Sequence, residues 1–252
     1  MKKNRIILFY LLIILNITVF CEDYLNILDN EIEFRNNLEL SIRKFFEEND
    51  RDKICLDIPD LKSYQIITGY IPEIRVRAEN IFIDDLRTDL IYMELYNIRL
   101  DLDKLMNEKS FEPGPDMKVR FHAEISEENI NDLLERKKKK IKVTNPKAVL
   151  KNGHIYLYGN VKAAFISSNI KAKGNFYLED EKKINFYAEY ISLERVKMPK
   201  FLLVKIVNTI NPVIDLERNR FDIRLNRISI KDKLFVISSF KEHDIEKIKN
   251  EK

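Results

Sequence analysis

The chain has 252 residues, with 44 Lys+Arg against 41 Asp+Glu and a formal charge of +3. That excess is the charge of Lys2, Lys3 and Arg5 at the N-terminus, so the rest is electrically balanced and lacks the basic field that nucleic acid requires. Two cysteines exclude a disulfide framework, while the length allows one well-buried core or a large single domain made mostly of strands.

The basic tip is followed by an apolar run of about 15 residues, Ile6 to Phe20, and then by Cys21-Glu22-Asp23. A membrane-spanning helix needs about 20 apolar residues. Residues 1–20 therefore read as a signal peptide, and the protein as exported to the periplasm or cell envelope, with an uncleaved anchor as the alternative. Cys21 is a candidate lipidation site of a lipoprotein, although the bulky Phe20 stands where such signals carry a small residue. Cleavage just after Cys21 and a Cys21–Cys55 bridge remain as alternatives. Cys55, between Ile54 and Leu56, reads as a small buried hydrophobe.

Residues 21–240 are expected to form one α+β domain, and 241–252 a charged tail that frays. An amphipathic helix over 24–46 places Leu25, Leu28, Ile32, Leu38, Ile42 and Phe45 on one face, for packing on a sheet or lying on a membrane. Short extended runs follow. Ile74, Val76 and Ala78 alternate with Arg75, Arg77 and Glu79, and the apolar parity flips near Tyr96-Asn97 between Leu95 and Ile98, which implies a bulge, a turn or a move across the core. Phe111-Glu112-Pro113-Gly114-Pro115 breaks regular structure.

Met117, Val119, Phe121, Ala123 and Ile125 then define the buried face of a strand, with His122 on the solvated face. Ser126 is a helix N-cap with Glu127 and Glu128 in the first turn, and the helix ends in Arg136 to Lys140, a charge order that suits the helix dipole. Three strands follow, with inner faces Ile155 to Phe165, Ile170 to Leu178 and Ile184 to Tyr190. Asn152-Gly153 and Glu179-Asp180-Glu181 serve as hairpin connections. Pro199 opens a helix over Lys200 to Ile210 that is apolar almost all round and must be buried or touch lipid. Phe221 to Ile230 and Leu234 to Ser239 are the last two strands.

Catalytic signals are absent. The three histidines lie in unrelated contexts, no spacing offers metal ligands, and no Gly-rich loop or nucleophile elbow occurs. No cofactor is expected. The informative feature is the inner face of the central strands, where small residues alternate with bulky ones. Small residues let a sheet curl or let another element approach closely. The expected apolar groove is lined by Phe121, Ala123, Leu157, Gly159, Val161 and Phe176, with Phe201, Leu202, Val204 and Ile206 from the late helix. An ordinary filled core is the alternative. Lys137, Lys138, Lys139 and Lys140 are candidates for lipid head-group contact and a membrane surface, or a solvated helix end.

The linear order of several segments is familiar. Thr68-Gly69-Tyr70-Ile71-Pro72-Glu73-Ile74 leads into Asn80-Ile81-Phe82-Ile83-Asp84-Asp85-Leu86. Ile125-Ser126-Glu127-Glu128-Asn129-Ile130-Asn131, Lys151-Asn152-Gly153-His154-Ile155, Met198-Pro199, Ile210-Asn211-Pro212 and Ile228-Ser229-Ile230-Lys231-Asp232-Lys233-Leu234 follow. From about Ile66 to Ser239 the chain resembles the LmeA-like family of exported bacterial phospholipid-binding proteins. The resemblance implies a sheet wrapped around helices, phospholipid binding and a role in the cell envelope, with no catalytic residues to transfer.

Together these readings predict an α+β protein with a curled, mostly antiparallel β-sheet wrapped around helices. They predict non-catalytic binding of phospholipid or a similar amphiphile in an apolar groove. The rival expectation is a structural or adhesive envelope protein with a filled core and a protein partner; an envelope hydrolase assembled only by folding is a third.

Overall fold

The computed structural model describes residues 31–46, 53–59, 61–83, 85–112, 114–163, 166–193, 207–208, 211–217, 221–231 and 233–245. The fold is α+β, its sheets are mostly antiparallel, and one of them is strongly curled into a half-barrel. The chain forms two compact units, one drawn from Met1–Lys44, Ile58–Ile74 and Tyr96–Met117, the other from Phe45–Asp57, Arg75–Leu95 and Lys118–Lys252.

In the first unit, helix α1 (Glu31–Arg43) buries Phe34, Leu38 and Ile42 at steps of four, with Asn37 and Ser41 on the same flank. Ile32, expected on the buried face, is 77% exposed. Two residues before Phe34, it is turned about 200° around the helix from it. Residues 24–30 of the expected helix lie outside the described residues. A π-helical turn (Lys104–Glu108) packs on α1, with Leu105 buried and the Asn37 amide donating to Met106 Sδ at 3.8 Å. A short helix, α2 (Ser63–Thr68), stops at Gly69, where φ is +65°. A Cβ there would lie 2.6 Å from the Leu100 carbonyl oxygen, so the stop needs glycine for both dihedral and space.

The strands, in chain order, are β1 (Ile54–Asp57), β2 (Tyr70–Glu79), β3 (Phe82–Ile83), β4 (Leu86–Arg87), β5 (Leu90–Arg99), β6 (Lys118–Ser126), β7 (Val143–Lys151), β8 (His154–Ala163), β9 (Ile166–Glu179), β10 (Lys183–Leu193), β11 (Ile214–Asp215), β12 (Arg227–Lys231) and β13 (Leu234–Ser238). A six-stranded sheet has the order β1-β2-β5-β6-β13-β12, a five-stranded sheet the order β11-β10-β9-β8-β7, and β3 and β4 form a ribbon. The expected parity flip falls at Asn97, which has φ +55°; Ile91, Met93 and Leu95 before it and Ile98 after it are all fully buried. Cys55, expected to be buried, is exposed, because the inward position on edge strand β1 belongs to Ile54.

In the second unit, helix α3 (Glu127–Ile141) starts as its sequence predicts: the Ser126 hydroxyl accepts from Asn129 N at 3.3 Å. Asp89 reinforces this start, its Oδ2 accepting from Ser126 N and from the Asn129 amide. The helix then covers the open edge of β7. Asn131 exchanges hydrogen bonds with the Ala148 backbone, Oδ1 accepting from N at 2.7 Å and Nδ2 donating to O at 3.0 Å, and Glu127 Oε2 accepts from Leu150 N at 2.7 Å. Backbone groups that would otherwise template another strand are thus satisfied by side chains.

Strand β7 has no counterpart among the predicted strands, because Pro146 and a register shift between Thr144 and Lys147 interrupt its alternation. The hairpin turns at Asn152-Gly153 and Asp180-Glu181 are as expected, with positive φ at all four residues. Phe221, Ile223 and Leu225 are buried as their alternation suggests, yet the strand there begins only at Arg227. His122, expected to be solvated, is fully buried. Residues of the expected frayed tail remain engaged through Ile245: Ile245 packs on Tyr92 and Phe240, and Asp244 pairs with Arg120, whose guanidinium stacks 4.1 Å over the Phe240 ring.

A candidate apolar binding site

Among the described residues, the inner face of the five-stranded sheet lines an apolar hollow. Pairing sets Leu157 of β8 opposite Ala172 of β9, and Ala172 opposite Ile191 of β10, giving one continuous apolar row. Two bulges bend the sheet here, one in β7 between Thr144 and Lys147 and one in β10 between Ala188 and Tyr190. Two glycines allow close approach. A Cβ on Gly159 would lie 2.3 Å from Val143 Cγ1, and one on Gly174 would lie 2.6 Å from Phe186 Cε2.

The result is a cavity with about 530 Å³ of empty space, counting the part open to solvent. Helix α3 contributes Leu134 and Ile141, β7 Val143 and Pro146, and β8 Leu157 and Tyr158. Ile170 and Ala172 of β9, Phe186 and Ile191 of β10, and Val207 complete the lining. None of these side chains is charged. Unpaired charge is expensive in such surroundings, so the cavity suits hydrocarbon and excludes an ionised group.

Of the residues expected to line a groove, Leu157 does so. Gly159 and Val161 lie on the same strand, Gly159 against Val143 and half-buried Val161 in register with Val143. Phe176 is half-buried one layer away, its ring 6.2 Å from Phe186 and 4.3 Å from Phe235. Phe121 and Ala123 stand apart: both are buried in β6 of the other sheet and are absent from the described lining. Phe201, Leu202, Val204 and Ile206, and also Cys21, lie outside the described residues. Val207, from the same predicted helix, is in the lining, and Asn211 N donates to its carbonyl at 3.0 Å.

Sequence reasoning set Phe186 among the bulky side chains of the concave inner face, where it lines the cavity, but missed Ile170, Ala172 and Ile191 as lining residues, although it placed the first two on inner faces; the bulge at Glu189 returns Ile191 to that face. Lys137 and Lys138 fall between Leu134 and Ile141 at helical steps of three and four, on the flank that lines the cavity. Lys137 pairs with Asp85 at 3.1 Å, Lys138 with Glu135, and Lys139 and Lys140 are exposed.

The family model of LmeA-like phospholipid-binding proteins matches residues 62–236. The chain belongs to this family. No curated protein and no solved structure matches it. All the described lining of the cavity falls within the matched segment, whereas α1 precedes it. Membership in the LmeA-like family supports lipid binding and a binding rather than a catalytic role. Among the described residues no cluster of three or more His, Cys, Asp or Glu has the arrangement of a metal site. The perturbed ionisations lie at surface ion pairs: Lys173 holds the Glu189 carboxylate below its ordinary value, and Glu217 raises Lys183.

Proposed function

We propose that this LmeA-like chain binds phospholipid, or a similar amphiphile, in the cell envelope without chemically altering it. The observation that carries the reading is the uncharged, apolar lining of the hollow beside the lysine-rich end of α3. An acyl chain enters the hollow between α3 and β7–β10, where each buried methylene contributes about 0.8 kcal/mol. The head group stays outside, because burying its charge would cost more than the chain gains. Lys137 and Lys138 supply cations on that flank for the phosphate, with Lys139 and Lys140 exposed beside them. Envelope residence follows from the secretory reading of residues 1–20. The uncharged lining and the match to a phospholipid-binding family support this function over the adhesive reading.

Native mass spectrometry of the purified protein, followed by lipid extraction, tests the proposal. The expected result is a phospholipid-sized adduct that Leu157→Asp abolishes while circular dichroism stays unchanged. Protein that is lipid-free as isolated, and that takes up no lipid from liposomes, overturns it.

A further inference from the structure

The opposite face of the five-stranded sheet carries a second pattern. Strand register sets Lys147, Tyr158 and Lys171 in one row across β7, β8 and β9, and Tyr156, Lys173 and Tyr190 in the next across β8, β9 and β10. Tyr187 and Tyr177 continue the face along β10 and β9. The bulge before Tyr190 is what returns that ring to the outer side. Tyr158, Tyr177, Tyr187 and Tyr190 are 38%, 46%, 62% and 60% exposed, and they are the large exposed hydrophobics of this sheet among the described residues. Of the acids on the face, Glu189 is held by Lys173 at 2.9 Å and His154 at 3.4 Å, and Glu179 accepts from the Asn185 amide.

A positively charged face studded with tyrosines, and without large exposed aliphatic side chains among the described residues, has a particular chemistry. Tyrosine places an apolar ring and a polar tip at the level of lipid head groups. Lysine lays its stem along apolar surface and its ammonium against anionic phosphate. A protein partner would favour the tyrosines but not the lysines, which are depleted at such interfaces. Tyr158 belongs both to this face and to the cavity lining, so the two adjoin. We propose that the tyrosine–lysine face of β7–β10 docks on the surface of an anionic phospholipid bilayer. Docking is carried chiefly by Tyr177, Tyr187, Tyr190, Lys147 and Lys171, none of which is in the described cavity lining, and it does not require the cavity to be filled.

The chain contains no tryptophan, so Tyr187→Trp in the full-length protein gives a single reporter on this face. Vesicles of phosphatidylcholine containing about a third phosphatidylglycerol should shift its emission to the blue, and brominated acyl chains should quench it. Both effects should vanish with pure phosphatidylcholine and at about 1 M salt, where the screening length is about 3 Å. Tyr64→Trp, an exposed position off this sheet, should show neither. Replacing Tyr177, Tyr187 and Tyr190 together by serine should weaken vesicle binding at least about tenfold, while native mass spectra still show cavity-bound lipid. An indole at 187 that stays solvent-like while the protein floats with the vesicles overturns the docking face. So does a triple variant that binds like wild type, or shielding of the indole only by a protein from envelope extract. Loss of the lipid adduct with docking intact would instead count against the cavity reading alone.

Discussion

Phe186 leans on the bare α-carbon of Gly174. A Cβ at that glycine would come within 2.6 Å of the ring and 2.1 Å of the Tyr187 carbonyl oxygen. The ring reaches the cavity wall because the neighbouring strand has no side chain at that point. Gly174→Ala should therefore lower stability by about 1–3 kcal/mol, in the range of overpacked cores, and reduce lipid retention as the ring is displaced. Gly153→Ala is the comparison: open space surrounds that position, and only its φ of +75° resists, so its cost should be about 1–2 kcal/mol with lipid retention unchanged. Urea denaturation and native mass spectrometry read the two effects separately.

Ala172 is the small residue at the centre of the apolar row, opposite Leu157 on one side and Ile191 on the other. Ala172→Phe should fill part of the hollow. The lipid adduct should fall severalfold, and the unfolding midpoint should hold or rise if the new ring occupies existing space. Unchanged occupancy would place the lipid elsewhere.

Arg120 joins β6 to β5 through Glu94 at 3.2 Å, and to the C-terminal segment through Asp244 and the face of Phe240. Glu94 is nearly buried while Arg120 is about a third exposed. Arg120→Ala should cost about 2 kcal/mol, in the range of hydrogen bonds to charged groups. Hydrogen exchange should accelerate in residues 240–245 before the sheet core responds.

Acidification should weaken the surface pairs in a defined order of cause. Lys173 depresses the pKa of Glu189 from its ordinary value of 4.5 by hydrogen bonding, and Arg227 does the same to Glu242. A carboxylate whose folded pKa is depressed contributes stability above its unfolded value and loses it as pH falls through the folded one. The urea midpoint should therefore drop below about pH 4.5, more steeply at low salt than at high salt, since both pairs are exposed. Glu189→Gln should flatten part of that slope. An identical slope in the variant would show that this pair contributes nothing.

Much of the fold was legible where the determining forces are local. The Ser126 cap, the Asn152-Gly153 turn and the parity flip at Asn97 each depend on a few neighbouring residues. The inner faces of β8, β9 and β10 were legible because alternation against a core has period two. Strand β7 was hidden because Pro146 and the register shift between Thr144 and Lys147 break its alternation, and because the helix side chains of Asn131 and Glu127 that complete its edge leave no mark of their own in the strand's sequence. The burial of His122 was hidden for a different reason: near its strand lies the C-terminal segment, and Arg120 two residues earlier is bonded to Asp244, 124 positions along the chain. Of the candidate site, the strand contribution through Leu157 was readable from pattern, whereas Phe121 and Ala123 show the same pattern and serve the other sheet. Alternation tells which side chains turn inward, but not which enclosure they turn into.

The clasp between Asn131 and the Ala148 backbone ties the wall of the hollow to the guarded edge of β7. Widening the hollow for an oversized guest means sliding α3 outward, and that motion strips β7 of its protecting amide. The naked rim would then recruit its like from another molecule. Overfilled copies should consequently announce themselves by sticking together.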